Sequence, residues 1–241
     1  MNQLLFLLLI LYSFVPLYAQ EGDTGNIDSL NDNDNDNFID SYDCFNSVLN
    51  GDSVRYLNGI ACQGWIKDHY PNGQLKHNGL YEKGKLISYK NYYENGQIER
   101  SFIKKDPKKS RLTIWYQDGH IRTEALFYFE SPLKWTDYLE NGSIESEEEY
   151  NNSLDFYLKS NYYFDNGKPY LIMELINKKR RIYSCKEYFP SGIVKEEGQK
   201  IQNRATGDYP RIGMWIIYNE KGKIIRKEQY EKGLLINETT F

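Results

Sequence analysis

The sequence is poor in the residues that build most catalytic and metal sites. Its 241 residues include only three histidines, three cysteines and three methionines. It contains no nucleophile elbow, no phosphate-binding glycine loop and no Cys-x-x-Cys pair. His69 and His77 are predicted to lie on opposite faces of one hairpin, which separates them from a shared metal ion. We therefore expect a protein without enzyme activity and without an organic cofactor.

Tyrosine is the residue in excess, with 22 copies. Tyrosine favours strands, and its ring covers apolar area while its hydroxyl stays in water. This composition suits a thin sheet better than a compact core of leucine and valine.

A short segment with an Asn-Gly or Asp-Gly pair recurs along the chain, with Tyr92–Glu99 (YYENGQIE) as its clearest copy. The copies contain glycines 73, 96, 119, 142, 167, 192 and 222, at steps of 23 residues that widen to 25, 25 and 30. A fixed period of this size indicates a repeat array.

Each copy predicts a hairpin. Asn95 and Gly96 both tolerate positive φ, which favours a two-residue type I′ turn that places Tyr93 opposite Ile98. The same register predicts three further aromatic or aliphatic pairs, namely Tyr70 with Leu75, Tyr116 with Ile121, and Leu139 with Ile144.

Two copies depart from this pattern. The last has one extra residue, and a three-residue loop that ends on Gly222 pairs Tyr218 with Ile224. In the copy at Gly167, Pro169 replaces the partner residue and cannot donate to a ladder, which predicts a distorted or edge hairpin.

A second set of turns, such as Lys83-Gly84 and Lys232-Gly233, lies between the first. Turn signals every 10 to 12 residues predict an all-β fold, an elongated antiparallel β-meander of about seven tandem hairpin repeats with about 12 to 15 strands. The Asn-Gly turns should line one edge and the second set the other.

Alternation along the strands then assigns residues to the two faces of the sheet. The residues predicted on the better-buried face are Tyr89, Tyr93, Ile98, Phe102, Leu112, Ile114, Tyr116, Ile121, Ala125, Phe127 and Phe129.

The chain divides into three predicted parts. Residues 1–19 resemble a cleaved export signal, with a short membrane anchor as the alternative, and predict a periplasmic, cell-surface or secreted protein without a transmembrane span after cleavage. Residues 20–43 form an acidic linker with eight acids and no base. Residues 44–241 form the repeat domain, which is mildly basic.

The acidic linker contains a calcium-type loop. Carboxylates at loop positions 1, 3, 5, 9 and 12 and a backbone carbonyl near the middle are the spacing that wraps Ca²⁺ in oxygen. These predicted ligands are Asp32, Asp34, Asp36, Phe38, Asp40 and Asp43. With Cys44 directly after it, the segment resembles a thrombospondin type 3 repeat, although Asn37 replaces the usual glycine. The alternative is a solvated Asp/Asn linker.

Three cysteines cannot all pair within one chain. In an exported protein, Cys44 with Cys62 is the candidate disulfide, and three reduced cysteines are the alternative.

The repeat itself resembles a known family. The elements Tyr-Tyr-x-Asn-Gly-x-Ile, Gly-x-Trp and Tyr-x-x-Gly-Lys, the last at Tyr81–Lys85, are similar to the MORN-repeat variants grouped with the YwqK-type antitoxins, over roughly residues 56–236. The resemblance implies a non-catalytic protein and, through the antitoxin label, a toxin partner.

Two kinds of surface are candidate binding sites. Trp65, Tyr92, Trp115 and Tyr128 lie among charged residues on the less buried face, either as a platform for sugars or a protein, or as packing that stiffens the sheet. Two basic clusters fall at the second set of turns and suit an anionic partner, or else protect exposed strands. They are Lys104, Lys105, Lys108, Lys109 and Arg111, and Lys178, Lys179, Arg180 and Arg181.

These features favour a binding function over catalysis. The leading hypothesis is a scaffold that holds another protein on its sheet face or at an open strand edge. The rivals are an antitoxin or immunity protein, an envelope module that binds lipid or glycan, and a structural spacer. The acidic head is not the profile of a nucleic-acid binder. The long insertion at residues 202–211 is a secondary candidate for the site.

Overall fold

The computed structural model describes residues 54–129 and 131–241. All regular structure in these residues is β-strand. Strands β3 to β17 form one open antiparallel sheet of fifteen strands in chain order, and β1 pairs only with β2. The predicted all-β meander is confirmed. The strands are β1 Tyr56–Leu57, β2 Ile60–Ala61, β3 Gly64–His69, β4 Leu75–Glu82, β5 Lys85–Tyr92, β6 Ile98–Lys104, β7 Lys109–Trp115, β8 Ile121–Tyr128, β9 Ser131–Tyr138, β10 Ile144–Tyr150, β11 Tyr157–Tyr163, β12 Pro169–Asn177, β13 Ile182–Tyr188, β14 Val194–Ile201, β15 Arg211–Tyr218, β16 Ile224–Glu231 and β17 Leu234–Thr240.

The chain reverses alternately at the two ends of the strands. We call these two lines of turns the first edge and the second edge. The first edge carries the seven repeat turns that contain glycines 73, 96, 119, 142, 167, 192 and 222, and the second edge carries the turns between them. This arrangement follows the two sets of turn signals in the sequence.

The repeat turns are not of the predicted two-residue type, apart from the last, whose three-residue loop was predicted. The Gly96 N–H donates to the Tyr93 carbonyl at 2.9 Å, and the Tyr93 N–H donates to the Gln97 carbonyl at 2.8 Å. Gly96 has a φ of +84°, but Asn95 is not in the left-handed region. The loop therefore has three residues, a type I turn closed by a left-handed glycine. The Asn95 side chain stabilises it differently, because its Oδ1 accepts the Gln97 N–H at 3.0 Å.

The three-residue loop shifts the register by one residue. Tyr92, and not Tyr93, lies opposite Ile98. The other predicted pairs are wrong in the same way, whereas the pair of Tyr218 with Ile224 is confirmed. The observed equivalents are His69 with Leu75, Trp115 with Ile121, and Tyr138 with Ile144.

The displaced tyrosines link successive hairpins instead. The Tyr93 hydroxyl donates to the Trp115 carbonyl at 2.6 Å. Tyr70 and Tyr116 donate in the same way to the carbonyls one hairpin further on, at 2.7 Å each. The next copy has Leu139 in this position, which has no hydroxyl to continue the series.

Pro169 does not distort its hairpin, and the two strands of that hairpin are not edge strands of the sheet. The Phe164 N–H donates to the Lys168 carbonyl at 2.8 Å, as in the other copies, and β11 and β12 lie in the interior of the sheet. Pro169 lies opposite Tyr163, next to the hydrogen-bonded pair of the turn. Antiparallel pairs alternate between bonded and non-bonded, so this position requires no donated ladder bond.

One face of the sheet, called here the inner face, holds the apolar core. Leu112, Ile114, Ala125 and Phe127 are buried together, and a second cluster contains Cys185, Trp215 and Ile217. The predicted buried face is confirmed at Leu112, Ile114, Ala125, Phe127 and Tyr89. Ile98, Ile121 and Phe129 are exceptions. Ile121 is 38% exposed because a bulge at Arg122 turns it to the opposite, outer face, and the same irregularity after Ile98 places that residue on the outer face.

Candidate binding surfaces

An aromatic side chain precedes six of the seven repeat turns and lies on the outer face. Trp115, for example, directly follows the buried Ile114, so strand alternation places it on the other side of the sheet. We call this row the aromatic stripe. Its members are Tyr92, Trp115, Tyr138, Tyr163, Tyr188 and Tyr218.

Three tyrosines of the stripe bond to carboxylates on the preceding strand. Tyr138 donates to Glu124 Oε2 at 3.1 Å, and Tyr218 donates to Glu197 Oε1 at 2.7 Å. The third, Tyr163, donates to Glu147 at 3.4 Å. Burial raises the pKa of Tyr138, and the bond to Glu197 raises that of Tyr218, so both hydroxyls stay protonated as donors. These bonds direct the hydroxyl end of each ring toward the preceding strand on the same face.

The four predicted platform residues do not form one cluster. Tyr92 and Trp115 belong to the aromatic stripe at the first edge. Trp65 is 61% exposed on the outermost strand, β3. Tyr128 lies at the opposite end of β8, where its ring contacts Phe129 with centroids 4.8 Å apart.

Both basic clusters lie at the second edge. Lys104 to Arg111 span the β6–β7 turn, and Lys178 to Arg181 form the whole β12–β13 turn. Six strand spacings separate the two turns, or about 29 Å along the sheet at ~4.8 Å per strand. The Debye length in physiological salt is about 8 Å, so the clusters act as separate surfaces.

Arg181 differs from its basic neighbours because it is tied into the structure. Its guanidinium donates to Asp155 Oδ2 at 2.6 Å and to Gln202 Oε1 at 2.9 Å, and it lies 4.6 Å from the Phe156 ring centroid. It therefore joins three turns of the second edge. The Arg181 side chain is therefore engaged within the protein, while Lys178, Lys179 and Arg180 are exposed.

The insertion packs against the β12–β13 turn. Arg204 Nη2 donates to the Lys179 carbonyl at 3.1 Å, and the Tyr209 ring lies 5.2 Å from that of Tyr183. Arg204 was missed by the sequence reasoning, although the insertion that carries it was marked. We call the four exposed cations of the two loops the cationic turn cluster: Lys178, Lys179, Arg180 and Arg204.

Two ionisable side chains on the inner face have shifted pKa values. Burial lowers the pKa of His77 to about 4, and burial raises the pKa of Glu148, whose carboxylate accepts the Tyr162 hydroxyl. His69 is exposed on β3, away from the buried His77. Residues 54–129 and 131–241 hold no group of three or more His, Cys, Asp or Glu side chains that could bind a metal ion.

Several predicted sites lie outside the described residues. These are the export signal, all six calcium ligands and Cys44, so the calcium site remains a prediction. Cys62 is described and buried, but its predicted partner is not, and the disulfide also remains a prediction. No helix in the described part of the chain is long and apolar enough to cross a membrane.

Comparison with known proteins identifies the repeat unit. Residues 85–101 and 133–152 match the profile of the MORN repeat variant. Each matched segment contains one repeat turn and strands on both sides of it. No curated protein matches the chain at a significant level. A porin-like protein from Bacteroides uniformis is 10% identical, with 73% of this chain and 87% of that chain covered, but its TM-score of 0.22 supports no conclusion. The chain is thus a β-repeat protein that carries MORN repeat variant hairpins at these two segments.

Proposed function

We propose that the chain is an exported, non-catalytic scaffold that binds an acidic region of another protein through the cationic turn cluster. The observation that carries this proposal is the contact between Arg204 and the Lys179 carbonyl, which joins two loops distant in sequence into one surface. Loops that interrupt a regular array are common places for function.

The charge of this surface suits an acidic partner. The three neighbouring turns of the second edge, residues 151–156, 178–181 and 202–210, contain five cations and two acids, a net charge of +3. One of the acids, Asp155, is already paired with Arg181 at 2.6 Å. Cationic patches of this kind accelerate the approach of an acidic partner more than they add affinity.

Hydrogen bonds between the neighbouring turns also hold the loops of the cluster in place. Arg181 binds Asp155 and Gln202, and the Gln202 N–H donates to the Arg181 carbonyl at 3.0 Å. A surface whose backbone is already held in place loses less conformational entropy when it binds.

The test is an affinity pull-down from the native cells with tagged protein that lacks residues 1–19. We expect the triple variant Lys178→Gln, Lys179→Gln, Arg180→Gln to lose the partner. Its matched control removes the same charge at the same edge, by replacing Lys104, Lys105 and Lys108 with Gln. Equal retention of the partner by both triple variants would contradict the proposal.

The same experiment separates the alternatives. A single partner in near-equal amount that is toxic when expressed alone would establish an antitoxin or immunity protein. Recovery of an anionic envelope component without protein, with binding that falls as salt rises, would establish an envelope module.

The acidic linker is proposed to bind Ca²⁺ as a structural clip. Calcium should raise the melting temperature of the parent protein, and replacing Asp34 and Asp36 with Asn should abolish that rise. A parent protein whose melting temperature ignores calcium would eliminate this site.

A further inference from the structure

The aromatic stripe repeats at a constant interval. It supplies one ring for each hairpin from the β5–β6 hairpin to the β15–β16 hairpin. Successive hairpins are two strands apart, so successive rings lie ~9.6 Å apart along the sheet. A surface with a repeated spacing of this kind matches a ligand that is itself a repeating polymer.

The rings of the stripe are oriented to present a face. The hydroxyls of Tyr138, Tyr163 and Tyr218 bond to carboxylates of the preceding strand, which holds the far end of each ring in place. All six residues of the stripe are half-buried, so each ring is partly covered by the protein and partly in contact with solvent. Flat, open ring faces are the arrangement that binds flat ligands by stacking, without reading their sequence.

The groups next to the rings are hydrogen-bond acceptors with negative charge. Glu124, Glu147 and Glu197 lie at the hydroxyl ends of three rings. Lys159 pairs with Glu147 at 3.1 Å, and Lys186 pairs with Glu197 at 2.8 Å, so these two charges are partly offset. The carboxylates repel a polyanion and accept hydrogen bonds from a ligand rich in hydroxyl groups.

We propose that the aromatic stripe is a binding site for an extended, neutral polysaccharide that runs across the strands. The apolar faces of its sugar rings stack on the aromatic rings, and its hydroxyls donate to the carboxylates. The interval between rings corresponds to about one disaccharide unit. This site lies on the outer face near the first edge, and it is independent of the protein-binding surface proposed at the second edge.

The stripe suits this ligand better than other polymers. Nucleic acids and acidic polysaccharides carry a negative charge along their length and would meet the carboxylates of Glu124, Glu147 and Glu197 on β8, β10 and β14. A folded protein surface has no repeat of one hairpin. Only a neutral chain satisfies the ring faces, the acceptors and the period together.

The probes are three soluble neutral hexasaccharides, made of β-1,4-linked glucose, mannose or N-acetylglucosamine, added to the full chain. Binding is measured by isothermal titration calorimetry and by the change in tryptophan fluorescence that is lost in Trp115→Ala. We expect at least one hexasaccharide to bind more tightly than its disaccharide, because it reaches several rings, and to bind equally well in low and high salt. Failure of all three to bind would overturn the proposal.

Variants then locate the site. Trp115→Ala and Tyr138→Ala should each weaken binding roughly tenfold. Trp65→Ala removes an exposed aromatic residue outside the stripe and should leave binding unchanged. Tyr138→Phe keeps the ring and serves if Tyr138→Ala fails to fold, with a loss of only a few fold expected.

Two results would assign the binding elsewhere. Binding that both alanine variants retain, with circular dichroism showing that they are folded, would overturn the stripe as the site. Loss of binding in the Lys178, Lys179, Arg180 triple variant would also overturn it, because that variant is expected to affect only the protein partner. Capture of a polyanion that depends on Trp115 would refute the neutral ligand.

Discussion

His77 is expected to make the stability of this protein depend on pH. Its side chain is 0% exposed, with Nδ1 2.7 Å from Asn91 Oδ1 and Nε2 3.2 Å from Tyr81 Oη. The Asn91 oxygen can only accept, so Nδ1 carries the proton and Nε2 accepts from Tyr81. A second proton would bind to Nε2. It would remove the acceptor of the Tyr81 hydroxyl and place a positive charge in a buried site.

The direction and size of the effect follow from the pKa. Burial lowers the pKa of His77 from 6.5 to about 4 in the folded protein. The unfolded chain therefore takes up a proton below pH 6.5 that the folded protein refuses until about pH 4. The stability is fully present above pH 6.5 and is lost as the pH falls. A pKa difference of about 2.5 corresponds to about 3 kcal/mol.

The assay is urea unfolding of the parent and of His77→Gln at several pH values between 7 and 4. We expect the parent to lose about 3 kcal/mol more than the variant over this range. Other groups, including Glu148 with its raised pKa, titrate in both proteins and cancel in the difference. His69→Gln, at an exposed histidine, should follow the parent. Parallel curves for the parent and His77→Gln would refute the reasoning.

Two further predictions concern the packing and the links between hairpins. Gly198→Ala places a methyl group 2.4 Å from the Trp215 ring and should cost about 1–3 kcal/mol of unfolding free energy, a loss that should shrink in a Trp215→Phe background. Tyr116→Phe removes the hydroxyl that donates to the Tyr138 carbonyl at 2.7 Å and should cost about 1 kcal/mol in urea unfolding, whereas an unchanged midpoint would show that this link adds no stability.

The meander was predictable because its signals are local. The turn residues mark each reversal, and their spacing sets the length of each strand, so strand order and the two edges follow without knowledge of distant contacts. Most of the buried face near β7 and β8 was also predictable. Leu112 and Ile114 are separated by Thr113 on one strand, and Ala125 and Phe127 occupy alternate positions on the next, so each pair shares a face.

The composite surface at the second edge was not predictable in the same way. Lys179 and Arg204 are separated by β13, β14 and their turn, and only the fold brings their loops together. Arg181 was grouped with its basic neighbours because sequence shows charge but not direction. Its side chain turns back to Asp155 and Gln202, and this depends on contacts between three turns.

The error in the turn type explains why Ile98 and Ile121 were assigned to the buried face. A two-residue loop would place Tyr93 and Ile98 together on the buried face. With the three-residue loop, Ile98 lies opposite Tyr92 and therefore shares the outer face with it. The one-residue shift recurs in the four copies for which a two-residue loop was predicted, those at Gly73, Gly96, Gly119 and Gly142. The left-handed glycine closes each of these loops in the same way. A mistake at one hairpin is therefore repeated across the sheet. It assigns to the buried face the residues that follow the turns, such as Ile98 and Ile121, which lie on the outer face opposite Tyr92 and Trp115.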